Sequence, residues 1–117
     1  MEATTGVKTV DKQFEFDAKS QLPHERKVFD RNYVAIISVE TTKPADAKMA
    51  VKELRALLHG ADLNHLFSTT KSYEVPHPTN VARYISEEIA GVNGTEVCHV
   101  RVTVNSQTVQ YTKKGHT

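Results

Sequence analysis

A chain of 117 residues with 38% hydrophobic and 25% charged side chains has the composition of a globular protein, and its length supports one core. The formal net charge of +1 gives no long-range pull toward nucleic acid or an anionic membrane, and no stretch approaches the ~20 apolar residues of a membrane-spanning helix. The start of the chain has no apolar run of the signal-peptide kind, and the lone Cys98 cannot form an internal disulfide, so a cytoplasmic location is expected.

Residues 1–6 carry no pattern and are expected to fray. From Val7 the chain turns extended. Phe14, Phe16 and Ala18 fall on one face and Glu15 and Asp17 on the other, the period of two of a half-buried strand. Pro23 ends that strand, and Leu22 to Asp30 reads as a charged connection. The second strand, roughly Arg31 to Thr42, holds Tyr33-Val34-Ala35-Ile36-Ile37-Ser38-Val39. Its apolar residues lie on both faces, as in a central strand covered on both sides.

Pro44 suits the first turn of a helix, and Asp46 sits near its positive end. Ala47, Ala50, Val51, Leu54, Leu57 and Leu58 make one apolar stripe, and Gly60 is a natural stop. Residues 61–76 read as a connection with one apolar patch, Leu63 to Phe67. A second helix begins near Pro78 or Thr79, with Thr79 as its cap. It buries Val81, Ala82, Ile85, Ile89 and Val92, turns Glu87-Glu88 to water, and breaks at Gly91 and Gly94. Val100, Val102 and Val104 then alternate with polar residues in a third strand. The turn Asn105-Ser106-Gln107 leads to a fourth, with Val109 and Tyr111.

This order, ββααββ over a single domain of residues 1–117, predicts an α+β fold: a four-stranded antiparallel sheet with two helices on one face. Such a sheet leaves its edges and second face exposed. Joining sheets edge to edge into an oligomeric barrel resolves both problems, so a homo-oligomer is expected. The histidines show no ligand spacing for a metal. His24-Glu25 beside Lys27 reads as a charged loop, and Lys113-Lys114 as a solvated tail. No phosphate-binding glycine loop and no basic stripe interleaved with aromatics appears, so neither a nucleotide nor a nucleic acid partner is expected.

Several segments, in order, are Phe16-Asp17-Ala18-Lys19-Ser20-Gln21-Leu22-Pro23, Leu63-Asn64-His65, Pro76-His77-Pro78-Thr79-Asn80-Val81-Ala82, and the closing Val100-Arg101-Val102-Thr103-Val104 with Val109-Gln110-Tyr111. Together they resemble the 6-pyruvoyl- and 6-carboxy-tetrahydropterin synthases, a family of the tunnelling fold, from Phe14 to Gly115. The resemblance implies a trimer or a dimer of trimers with sites at subunit boundaries. It also implies a zinc ion on three histidines, a catalytic cysteine, and a glutamate that anchors the pterin.

The chain departs from that pattern where the chemistry sits. The histidine positions hold Ser20, Phe29 and Arg31, and the cysteine position holds Val28. No acidic residue follows Glu96, and Thr79 stands where the second-helix motif has glutamate. The expectation is a divergent protein with no zinc or other cofactor, binding a pterin-like or purine-like heterocycle through Thr79 and Asn105. His65 and its partner Asn64 are the candidate catalytic groups by resemblance. The alternative is a structural or assembly paralogue without a small ligand. A weaker likeness of Leu22-Pro23-His24-Glu25-Arg26-Lys27 to a loop of the metal-free dihydroneopterin aldolases meets two obstacles, Thr79 and the lysine-free run Val97–Tyr111.

Overall fold

The computed structural model describes residues 6–70 and 75–112; residues 1–5 of the expected frayed segment and the Lys113-Lys114 tail lie outside them. Strands β1 (Lys8–Ser20) and β2 (Phe29–Thr41) form a long hairpin. Three helices follow, α1 (Pro44–Leu58), α2 (Leu63–Thr70) and α3 (Pro78–Ala90), and then β3 (Thr95–Val104) and β4 (Gln107–Tyr111). The sheet is antiparallel throughout in the order β1-β2-β3-β4, with a register shift against β3 at Ser38/Val39.

Alternation decides which residues meet the helices. Val10, Phe16, Ala18 and Ser20 of β1 share a face with Tyr33, Ala35, Ile37 and Val39 of β2, and with Val100, Val102 and Val104 of β3; all are buried. Against that face α1 packs Ala47, Val51, Leu54 and Leu58, and α3 packs Val81, Ala82, Ile85 and Ile89. On the opposite face Val34 and Ile36 are only half-buried. Their cross-strand neighbours are polar: Glu15 and Thr103 beside Val34, Gln13 and Arg101 beside Ile36. Within one chain, then, β2 is covered on one side only.

Three local readings change. The stretch expected to be a plain connection contains α2, whose Leu63 and Phe67 are fully buried, with Leu66 packed against the core. Asp62 opens it: its carbonyl accepts from Leu66 N, and its carboxylate accepts from His65 N at 3.2 Å. The sheet therefore carries three helices instead of two. At α3 the residue in the cap position is His77, with Pro78 next and no side-chain cap, so Thr79 lies inside the first turn. The last hairpin turns on two residues, Asn105 (φ 53°) and Ser106 (φ 64°), both left-handed, the conformation a two-residue hairpin requires.

Ser106 occupies its left-handed position without the freedom of glycine, a strain of about 1 kcal/mol for an L-residue. Ser106→Gly is expected to raise stability by about that amount in chemical denaturation, with the slope of the transition unchanged. An unaltered midpoint would mean that the turn is unstrained.

Candidate functional site

A cavity of about 490 Å³ opens where the end of β1, the start of β2, the N-terminus of α3 and the β3–β4 turn meet. Ser20, Arg31 and Tyr33 line it from the hairpin, His77, Thr79 and Asn80 from α3, and Asn105 and Gln107 from the turn. Of the residues expected to bind a ligand, Thr79 and Asn105 are thus brought to one cavity from segments far apart in the chain. Asn64 and His65 do not line it.

The hairpin wall is held by a polar network that register makes inevitable. Ser20 lies opposite Phe29, and Ala18 opposite Arg31, so Ser20, Phe29 and Arg31 come together on the helix-covered face. The Arg31 guanidinium donates to the Ser20 carbonyl at 3.0 Å, to the Ser20 hydroxyl, and to the Glu25 carboxylate. It also rides over the Phe29 ring, 5.3 Å from the centroid, with the Lys27 ammonium 5.4 Å from the same ring. The Ser20 and Tyr33 hydroxyls are 2.9 Å apart. Tyr33 stacks on Phe16 with centroids 5.0 Å apart. Burial pushes the Tyr33 phenol up from its ordinary value, against the opposing hydrogen bond from Ser20, so at neutral pH it keeps its proton.

The connection between β1 and β2 is folded onto this wall. Leu22 N donates to Glu25 at 2.8 Å, and the Gln21 amide donates to the Glu25 carbonyl at 2.9 Å. Asn64 completes the fastening from α2. Its Oδ1 accepts from Gln21 N at 2.7 Å, and its Nδ2 donates to the Gln21 carbonyl at 2.9 Å. That two-way clamp makes Asn64 a positioning residue for the cavity wall. His65 is exposed on α2 and enters the local structure through its backbone.

The three positions where the resemblance implies metal ligands can be tested by their chemistry. A guanidinium and a phenyl ring have no lone pair to give, and the Ser20 hydroxyl already accepts from Arg31. This donor set does not fit zinc; Arg31 is instead a cation paired with the Glu25 carboxylate. Among the described residues no three of His, Cys, Asp and Glu gather as a metal would need. Cys98 lies on β3, away from the cavity. Burial pushes its thiol up, with Glu40 and Glu96 adding to the rise, which leaves little thiolate at neutral pH.

Sequence reasoning missed the Glu25–Arg31 pair, because residues six apart across an irregular loop follow no period. The signal available was the charge alternation His24-Glu25-Arg26-Lys27 close to Arg31.

A four-stranded antiparallel sheet covered on one face by helices inserted between two hairpins defines an α+β fold of the tunnelling type. The solved structure of Caenorhabditis elegans 6-pyruvoyl tetrahydropterin synthase is similar to this chain, with a TM-score of 0.64, over 92% of this chain and 96% of that one. At 16% identity the likeness is one of fold. No protein-family model and no curated protein matches the sequence. Among the described residues no helix is long and apolar enough to cross a membrane.

Proposed function

We propose that this chain is a divergent pterin-synthase-like protein that holds a pterin-like or purine-like heterocycle in the cavity between the hairpin, α3 and the β3–β4 turn, without zinc-dependent lyase chemistry. One observation carries the reading. Thr79 and Asn105, the hydrogen-bonding groups to which the sequence points, line one cavity that also holds Arg31 and Tyr33. The cavity is large enough for a fused bicyclic ring. Assembly as a homo-oligomer joined through sheet edges would place such a cavity at a subunit boundary, with Asn64 acting through the loop it clamps. The same reading leaves His65 as a proton-transfer group only where a second subunit brings it to the ligand. A cytoplasmic setting suits it.

Titration of the purified protein with oxidised and reduced pterin, followed by ligand fluorescence with and without excess chelator, tests the reading. Saturable binding that survives chelation is the expected result. Asn105→Ala should weaken it about tenfold, as the loss of one hydrogen bond of ~1.5 kcal/mol implies, and leave the oligomer intact. Binding lost on chelation would overturn the metal-free part. No binding at millimolar pterin would leave the non-catalytic assembly role as the better reading.

A further inference from the structure

Lys12 stands where the alternation of β1 calls for an apolar residue. It lies between Val10 and Phe14 on the face that carries the helices, and its cross-strand neighbour Ile37 is 1% exposed. Lys12 is nonetheless exposed and Phe14 only half-buried. Between them and α1 runs a groove of about 560 Å³, which shares no residue with the cavity described above.

The helix wall of the groove is one stripe of α1. Lys48, Met49 and Lys52 follow the three-and-four spacing of a single face, and Arg55 continues it by one turn. Met49, at 54% exposure, sits in the middle of this stripe. Lys48 and Lys52 are like charges four residues apart, an unfavourable pairing on a helix. No carboxylate stands three or four residues from Lys48, Lys52 or Arg55, where it would offset them. Glu53 of the same helix lies on another flank, beside Leu57 and Glu88. Arg55 Nε donates to the Glu15 carbonyl at 2.9 Å, which fixes the guanidinium without neutralising it. Among the described residues none of these four cations has a carboxylate partner, and no acidic side chain lines the groove.

The spread of the charges says what kind of molecule would answer them. Lys48 and Arg55 are two turns apart on α1, ~10 Å at 1.5 Å per residue. One carboxylate cannot reach cations over that distance. An extended peptide advances ~3.3 Å per residue and can meet them in turn. We propose that the groove docks an extended acidic segment of a partner protein. One bulky apolar side chain of that segment sits between Phe14 and Met49, and its flanking carboxylates meet Lys12, Lys48, Lys52 and Arg55. The apolar contact supplies affinity, and the cations fix register and speed encounter. Docking also relieves the repulsion between Lys48 and Lys52. The site is separate from the heterocycle cavity, so the two readings stand or fall independently.

An NMR titration of the nitrogen-15-labelled protein tests it, with a synthetic peptide of one phenylalanine between two pairs of glutamates as the probe. Amide shifts are expected over residues 12–14 and 45–55, with Ser20, Thr79 and Asn105 unmoved. Alanine in place of the peptide's phenylalanine should weaken binding ~10-fold, the effect of losing one buried aromatic side chain. Glutamines in place of its glutamates should weaken it as much at about 0.05 M salt, a difference that shrinks at about 0.5 M. In the protein, K48E/K52E should abolish binding and Met49→Gln should weaken it. All three positions are exposed, and circular dichroism reports that the fold persists. Equal binding of the alanine peptide would overturn the apolar anchor. Binding undiminished in folded K48E/K52E, or shifts confined to the heterocycle cavity, would overturn the groove as the site. A change of oligomeric state in K48E/K52E without peptide, read by analytical ultracentrifugation, would assign the groove to a second copy and overturn the partner reading. Phosphatidylserine vesicles that carry down the parent protein but not K48E/K52E, with no peptide shift, would give the cations to a lipid surface and overturn it too. No shift at millimolar peptide would overturn the proposal outright.

Discussion

Phe16→Ala should destabilise the protein by about 3–5 kcal/mol in denaturant unfolding, the usual range for emptying a buried aromatic position. Phe16 is 1% exposed in the middle of β1 and stacks almost face to face on Tyr33, with an interplanar angle of 6°. Phe14 lies 6.0 Å from it on the same strand and is itself half-buried, so it cannot move in without giving up its own packing. Against a total stability of about 5–15 kcal/mol the loss brings the fold close to its limit. The variant should also free the Tyr33 ring, so tyrosine signals in near-ultraviolet circular dichroism should weaken before the backbone unfolds. Phe16→Leu, which keeps most of the volume, should cost less than about 1.5 kcal/mol. An alanine variant within ~1 kcal/mol of the parent would mean that this stack is not part of the packed core.

Arg31→Met should abolish ligand binding and release the loop between β1 and β2. The guanidinium joins three things at once: the Ser20 backbone, the Ser20 hydroxyl and the Glu25 carboxylate. Methionine keeps the aliphatic stem over Phe29 but leaves a carboxylate, only 13% exposed, facing no cation. Amide hydrogen exchange should therefore accelerate over residues 21–30, with the core strands unchanged. Adding Glu25→Gln removes the stranded charge. The double variant should recover loop protection but not ligand binding, which separates the structural from the binding role.

The same pair sets an acid limit. The Leu22 N–H, first, and then Arg31 hold the Glu25 carboxyl below its ordinary value, overcoming the opposing desolvation. A carboxyl lowered by folding stabilises the loop fully above the ordinary range of about 4.3 and loses that contribution as pH falls through the lowered value. Protection of residues 21–30 should fade in acid below about pH 4, and Glu25→Gln should flatten that dependence. A loop equally protected in acid and at neutral pH would show that the carboxylate does not hold it.

The strands and the two longer helices were legible because they obey a period. Phe14, Phe16 and Ala18 mark every second residue of β1, and Ala47, Ala50, Val51, Leu54, Leu57 and Leu58 the stripe of α1; the buried faces follow them except that Leu57 is exposed and Phe14 and Ala50 are half-buried. Helix α2 escaped because eight residues give barely two turns of stripe. Its start was nonetheless written at Asp62, three residues before His65, ahead of Leu63, Leu66 and Phe67. Positions Ser20, Phe29 and Arg31 were found by likeness to a family whose residues there are different, and antiparallel register puts them side by side. Which contacts they make was not legible. The partner of Arg31 is Glu25 in an aperiodic loop, and the partner of Gln21 is Asn64, supplied by a helix that the pattern did not reveal.

The cavity wall is fastened by two kinds of contact that differ in how far the chain must travel. Glu25 meets Leu22 and Arg31 three and six residues away, so these bonds close within the hairpin itself. Asn64 reaches back 43 residues to Gln21, His59 reaches 42 to Asp17, and Arg55 reaches 40 to Glu15. Long loops cost entropy before their contacts repay it, so these clasps follow the docking of α1 and α2 on β1. Thr79 and Asn105 come later still in the chain. During synthesis the arginine side of the cavity can take shape while half the protein is unmade, whereas the cavity itself is complete only with the last hairpin.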